Sequence, residues 1–331
     1  MKKLFLISLV ILFILLFSLT SVFADKPIVL SLGNVVPPTS DKNRSCIKFA
    51  ELVQERTNNM IRVDVFPASQ LGNENQIANS VKMGAIDIAF VAAEVYDSYV
   101  PELAIFVSPL LLTTDEKWDA VMWSPIVDRM ADKLLEVAGI RILGRLWMDQ
   151  RFLVTTNKPV YTLEDLKGLK IRVPGYSGYV ASLESLGASP TPIAYSEVYM
   201  ALQQGIVDGL EHPTGLIRSN KFYEVCHYLT KVPIINTLNI LVINESSFQK
   251  LTPEQQEILI QAGKEAGIYL KEIILKEREE NLKFFEDYGM KIIEVESLKP
   301  WFDKIKDYPD KYNYIWGGDV DLYYQIFNFK Y

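Results

Sequence analysis

Residues 168–213 read GLKIRVPGYSGYVASLESLGASPTPIAYSEVYMALQQGIVDGLEHP, and this stretch decides the fold. Leu169 to Val173 alternates as a short strand, with Arg172 one residue before Val173-Pro174-Gly175. Pro174 lacks a backbone donor and biases Val173 away from the helical region. Gly175 and Gly178 allow a sharp turn, after which Tyr179 to Leu186 reads as a helix. Arg172 therefore sits at the carboxyl end of a strand, facing a glycine-rich turn. A guanidinium keeps its proton, and its fork of donors matches a carboxylate two bonds at a time. The ordinary alternative is a surface arginine in an ion pair.

The chain begins with a basic head, Met1-Lys2-Lys3, followed by an apolar run from Leu4 to Phe17 and a smaller-residue end at Val22-Phe23-Ala24. That three-part plan predicts a cleaved secretory signal peptide over residues 1–24. An uncleaved membrane anchor is the rival reading. The full chain has 34 basic and 41 acidic residues, a net charge of −7; loss of Lys2 and Lys3 leaves 32 against 41, or −9. A net acidic chain without a basic block argues against nucleic acid as a partner. An anionic small molecule stays compatible, because the local potential in a cleft can oppose the net charge. Cys46 and Cys226 form no CxxC pair, and each falls in a half-apolar segment where a free buried cysteine is common. The sequence alone leaves their pairing open.

From Ile28 the chain alternates strand, loop and helix. Ile28–Leu32 and Ile61–Phe66 read as strands, 73–83 as a helix, and Ala85–Ala92 as a buried strand. A helix capped by Ser40 or Asp41 is expected to run to about Thr57. This rhythm predicts an α/β domain with mostly parallel pairing, and ligands in such sheets lie beyond the carboxyl ends of the strands. Asn34 and residues 91–94 fall at that mouth. Asp115 to Ala138 reads as largely helical, Ile140 to Trp147 as a strand, and Asn236 to Val242 as a strand with Asn236 facing the cleft. Trp147 offers a stacking surface or a core residue. Ser196 is expected to cap the helix that follows. Thr252-Pro253-Glu254-Gln255 is a strong helix start, and that helix is expected to reach about Asp287 and to stop at Gly289, with Gly263 and Gly267 tolerated inside it. The tail is rich in Trp and Tyr, so it is expected to pack.

Several strings in the chain resemble one family. KGLKIRVP and LGASPTPIAYSEVYMALQQGIVDGLEHP, with Phe66-Pro67-Ala68-Ser69-Gln70-Leu71-Gly72, Met83-Gly84-Ala85-Ile86-Asp87 and Lys221-Phe222-Tyr223-Glu224-Val225, look like the DctP-type solute-binding subunit of TRAP (tripartite ATP-independent periplasmic) transporters. The resemblance covers roughly residues 28 to 290. It implies a two-lobed periplasmic-binding-protein-like α/β fold with a long helix spanning both lobes: 25–148 plus 238–277 in lobe I, and 149–237 plus 278–331 in lobe II. It implies ligand roles for Arg172, for Tyr195 as an aromatic closing over the ligand, and for His212. Arg151 or Gln150 would take a second ligand position. Glu211 would hold its loop, and Gln150 with Glu211 imitates a cation site of some keto-acid binders, although two oxygen donors are few for a metal. Ala92 stands where some relatives carry a polar or acidic residue, so that role is not carried over.

The implied function is an extracytoplasmic, monomeric binding protein without a cofactor, capturing an organic acid and delivering it to TRAP membrane permease subunits. A sensor reporting to a membrane receptor is the second possibility. An exported hydrolase is the third, and it lacks GxSxG and HExxH motifs.

Overall fold

The computed structural model describes residues 26–330. The expected signal peptide lies outside the described residues. The strands are β1 (Ile28–Gly33), β2 (Ile61–Phe66), β3 (Ile88–Ala92), β4 (Ile140–Leu146), β5 (Arg151–Thr155), β6 (Lys170–Val173), β7 (Ser189–Pro192), β8 (Gly209–His212), β9 (Tyr228–Ile235), β10 (Asn239–Asn244) and β11 (Lys291–Glu294). They form two sheets, one five-stranded in the order β2-β1-β3-β10-β4 and one six-stranded in the order β11-β9-β5-β8-β6-β7. In the first, β1 pairs in parallel with β2 and β3, while β10 runs antiparallel between β3 and β4. In the second, β6 pairs in parallel with β7 and β8, and β5 runs antiparallel to β8 and β9. Each sheet is thus the centre of a lobe.

β5 is buried on both faces. Leu153 enters the large core that includes Ile171 and Val173, whereas Phe152 and Val154 enter a second core with Leu210, Phe222 and Leu229. Successive strand side chains point to opposite faces, so one short strand serves two layers. β7 contains Pro190 and Pro192 and sits at the sheet edge, where a missing N–H is tolerated.

The chain passes from the first sheet to the second through residues 147–150, returns through 236–238, and crosses again along the helix Pro253–Tyr288. That helix is 36 residues long and opens with a full capping box, Thr252 with Gln255. Gly289, at φ 109°, ends it in a left-handed cap that favours glycine. Leu259, Ala262, Ala266 and Leu270 pack in the large core, and Leu282 and Phe285 pack in the second. Between them lies a polar collar: Arg44 pairs with Glu277, Arg278 with Asp115 and Asp149, and Arg218 donates to Asn281.

The helix glycines have a stricter role than tolerance. A Cβ on Gly263 would lie 2.4 Å from the Leu143 carbonyl oxygen, and one on Gly144 would lie 2.4 Å from the Gly263 oxygen. Helix and β4 therefore meet backbone to backbone.

Other local expectations shift. Asp115–Met122 and Pro125–Ala138 are separate helices, broken at Trp123-Ser124 before a proline. Ser196 caps nothing: it lies in a 3-10 turn, Tyr195–Glu197, and the helix Val198–Gln203 starts without a side-chain cap. β3 starts at Ile88, because the Asp87 side chain accepts bonds from Ser31 and Ser247 in the preceding turn. Cys46 and Cys226 are both free and buried. In the tail, Trp301 and Trp316 are fully buried, and Tyr308 faces Ser182 of the helix Ser177–Ser185.

Gly263→Ala is expected to lower stability by about 1–3 kcal/mol, the usual cost of forcing an extra group into a packed interior, despite alanine's better helix propensity. Urea denaturation of the two proteins checks it. Unchanged or increased stability would contradict the backbone contact.

Candidate functional site

A cavity of about 320 Å³ lies between the two sheets, walled by both. From the first lobe come Lys42, Asn73, Glu74, Phe90 and Asn239; from the second come Arg151, Arg172, Tyr176, Tyr179, Tyr195 and His212. The walls are the carboxyl ends of β1, β3, β6 and β8 with the starts of β5 and β10, where a doubly wound sheet leaves a crevice.

Arg172 reaches this cavity because β6 alternates. Ile171 and Val173 enter the core, and the side chain between them takes the other face. Arg172 is 4% exposed. Its Nε and Nη2 both donate to the Ile193 carbonyl, at 3.0 and 2.8 Å. Nη1 makes no hydrogen bond among the described residues, and no carboxylate lies within 4.0 Å of the guanidinium. Burial pushes its pKa down, yet an arginine stays charged. The Tyr195 ring centroid lies 5.8 Å from Arg172 Cζ, and the Tyr195 hydroxyl is fixed by a 2.7 Å bond from Asn220.

Arg151 is compensated, in contrast. Its Nε and Nη2 donate to the two carboxylate oxygens of Glu211, in a pair that is almost fully buried. Nη2 also approaches the Glu211 carbonyl at 3.3 Å and His212 Nδ1 at 3.4 Å. His212 is held through Nε2, 3.4 Å from the Tyr195 hydroxyl. Burial, with Arg151, Lys42 and Arg172 nearby, drives the His212 pKa well below its ordinary value. Burial and these three cations therefore favour the neutral imidazole.

The other sequence candidates do different work. Asn34 is fully buried; its amide donates to Asn43 and accepts from the Val36 backbone, which shapes the loop behind the wall. Asn236 turns back to accept from the Thr237 N–H, and it is Asn239, three residues on, that lines the cavity. Gln150 points away, toward the Thr113 carbonyl and Asp115. Trp147 is core, 1% exposed, with Arg278 Cζ 5.7 Å from its ring centroid. Glu211 stands behind the wall, its carboxylate taken by Arg151. The Glu211 carboxylate is thus taken by Arg151 and Gln150 turns to a different part of the wall, and no group of three or more His, Cys, Asp or Glu suited to a metal occurs among the described residues.

Sequence reasoning missed Lys42, Glu74, Tyr176 and Tyr179. Lys42 follows the cap Ser40 by two residues, a place where lysine is usually solvated. Here it is 4% exposed, 5.9 Å from the Phe90 ring centroid, and burial lowers its pKa to about 8. Glu74 opens a helix capped by Asn73, accepts from the Ala92 N–H at 2.9 Å, and accepts the Tyr176 hydroxyl at 3.0 Å. That last bond spans the cleft from lobe to lobe. Behind it, Glu94 is fully buried with neither carboxylate oxygen hydrogen-bonded; burial pushes its pKa up to about 8, so it holds a proton at pH 7.

The arrangement is cationic: a guanidinium with no carboxylate within 4.0 Å and an ammonium without an ion pair, in a half-apolar hollow. Comparison with known proteins gives the same picture. The model of the family described as bacterial extracellular solute-binding protein, family 7 (DctP) matches residues 32–314. A solute-binding protein of Roseobacter denitrificans is 31% identical over 277 residues, 84% of each chain. Its crystal structure, that of a TRAP periplasmic solute-binding protein with bound L-galactonate, superposes with a TM-score of 0.84 over 91% of this chain and 99% of that one, at 28% identity. The 2,3-diketo-L-gulonate-binding periplasmic protein YiaO of Escherichia coli is 28% identical over 277 residues, 84% of this chain and 83% of that one. With two lobes, a helix joining them and a cationic hollow between, this chain belongs to family 7 of the bacterial extracellular solute-binding proteins, the DctP family of TRAP-type periplasmic binding proteins.

Proposed function

We propose that this protein is the extracytoplasmic capture subunit of a TRAP transporter, and that its ligand is a sugar acid held by its carboxylate on Arg172. The observation that carries the reading is the Arg172 guanidinium, buried in the interlobe wall and bonded to a carbonyl but to no acid. A buried charge left in this state gains most from an anion that enters the cleft. The known ligands of the relatives, L-galactonate and 2,3-diketo-L-gulonate, are acids of this kind. Tyr195 and His212 border the same carboxylate position. Arg151, neutralised by Glu211, props His212 and adds field without being the primary anchor.

Lobe closure follows from binding. Groups from both lobes reach one ligand, so the closed form binds better and its population rises. The Tyr176–Glu74 bond is one of the contacts that favour closure. The closed protein then delivers its cargo to the membrane permease subunits. In this reading residues 1–24 are a cleaved signal peptide, the boundaries near 148, 238 and 278 separate the lobes, and the protein acts as a monomer that binds its ligand and leaves it chemically unchanged.

Arg172→Ala is expected to lose about 2–5 kcal/mol of sugar-acid binding, the usual cost of truncating one partner of a buried charge pair, and Arg172→Lys is expected to bind poorly because the fork is lost. Titration calorimetry with galactonate and related aldonates measures both; wild-type affinity in Arg172→Ala would reject the assignment. Incubation with the same acids should give a saturable rise in melting temperature without turnover. Because His212 stays neutral, affinity is expected to stay within about threefold from pH 7.5 to 5.5; tightening by a larger factor on acidification would put an imidazolium in the site.

A further inference from the structure

We infer that Lys42 is a second anion anchor, on the opposite lobe from Arg172, and that the ligand is a sugar acid carrying an anionic group at both ends. This rests on the reading of the cleft as a carboxylate site and goes further in naming the ligand's far end.

The Lys42 side chain lines the cavity and is 4% exposed, yet its ammonium has no ion pair within 4.0 Å and no hydrogen bond among the described residues. No acidic neighbour comes within ion-pair distance of the ammonium, and Glu74 and Glu211 are committed elsewhere. Glu74 accepts from Ala92 N and the Tyr176 hydroxyl. Asp41 spends one carboxylate oxygen on the Lys42 backbone N–H at 2.7 Å, and its charge opposes the effect of burial on the ammonium without pairing with it. Glu211 is held by Arg151. The Phe90 ring, 5.9 Å away, gives a weak attraction and no hydrogen bond. A desolvated ammonium has three donors to satisfy, and leaving them unmade is expensive. Arg172 has the same want at the other wall. A single carboxylate placed on Arg172 leaves Lys42 as it was, whereas a ligand with a second anion satisfies both. The two cations belong to different lobes, so such a ligand also ties the lobes together. An aldonate hydroxyl at Lys42 would accept a hydrogen bond without neutralising the charge, whereas a second anion adds the attraction of an opposite charge, which is strong in a desolvated wall.

The test compares acids that share one carbon skeleton: gluconate with one anion, glucarate with a second carboxylate, and 6-phosphogluconate with a phosphate, together with the galactonate and galactarate pair. Calorimetry on the purified protein should show at least one doubly anionic acid binding tenfold or more tightly than its singly anionic partner. Whether carboxylate or phosphate wins identifies the second group. Lys42→Met, which keeps the stem and removes the charge, should abolish that preference, costing the doubly anionic acid at least tenfold more affinity than it costs its singly anionic partner. Lys42→Gln, which keeps a donor without charge, should abolish it as well. Equal affinity of singly and doubly anionic acids in the wild type overturns the inference. So does an equal loss for both kinds in Lys42→Met, or retention of the preference in Lys42→Gln. A different result, unchanged affinities in Arg172→Ala, would remove the carboxylate-site reading itself and this inference with it.

Discussion

A positive charge taken out of water needs an acceptor, and the cleft is built around one that is incompletely supplied. Arg172 spends Nε and Nη2 on a single backbone carbonyl. The fold keeps it there through neighbours that cannot move: Ile171 and Val173 are locked in the core, Pro174 ends the strand, and Tyr195 lies beside the guanidinium with its hydroxyl tied to Asn220. The second arginine shows the contrast. Arg151 begins β5 at the point where the chain enters the second lobe, and Glu211, on the adjacent strand β8, answers its charge. One cation is answered by an acid within the fold, and the other is answered only by a carbonyl. Replacing Glu211 would blur that distinction, since Arg151 would then seek an anion too.

The scaffold supplies the rigidity this needs. The inner strands β5 and β10 are buried along their whole length, and one helix packs into both cores. Its first half meets β4 through glycine backbones, and its last turns fill the second core with Leu282 and Phe285. The dry cores are separated by charged groups between residues 277 and 281, where bonds are to partners that water can replace.

The sequence was informative where a residue's chemistry is bound to its backbone. The strand, proline and glycine around Arg172, the capping box at Thr252 and the glycine at 289 are local signals, and the folded chain uses each of them. Positions whose role depends on distant partners were less readable. Gln150 and Arg151 differ by one residue, yet one turns to Asp115 and the other into the cleft, a choice made by β5 pairing. Asn236 and Asn239 both read as polar residues at a crossing, and the start of β10 decides which reaches the cavity. Lys42 resembles an ordinary helix-start lysine until Phe90 and the second lobe enclose it. Gly263 looked like a tolerated weakness because its neighbour, Leu143, lies 120 residues earlier in the chain.

The glycine contact between helix and β4 governs how the molecule can bend. Peptide groups pressed against one another have no rotamers to exchange, so the first lobe and the front of the helix travel as a single solid. Any rocking of the halves is handed on to the stretch beyond Ile274, where ion pairs can be broken and remade one at a time.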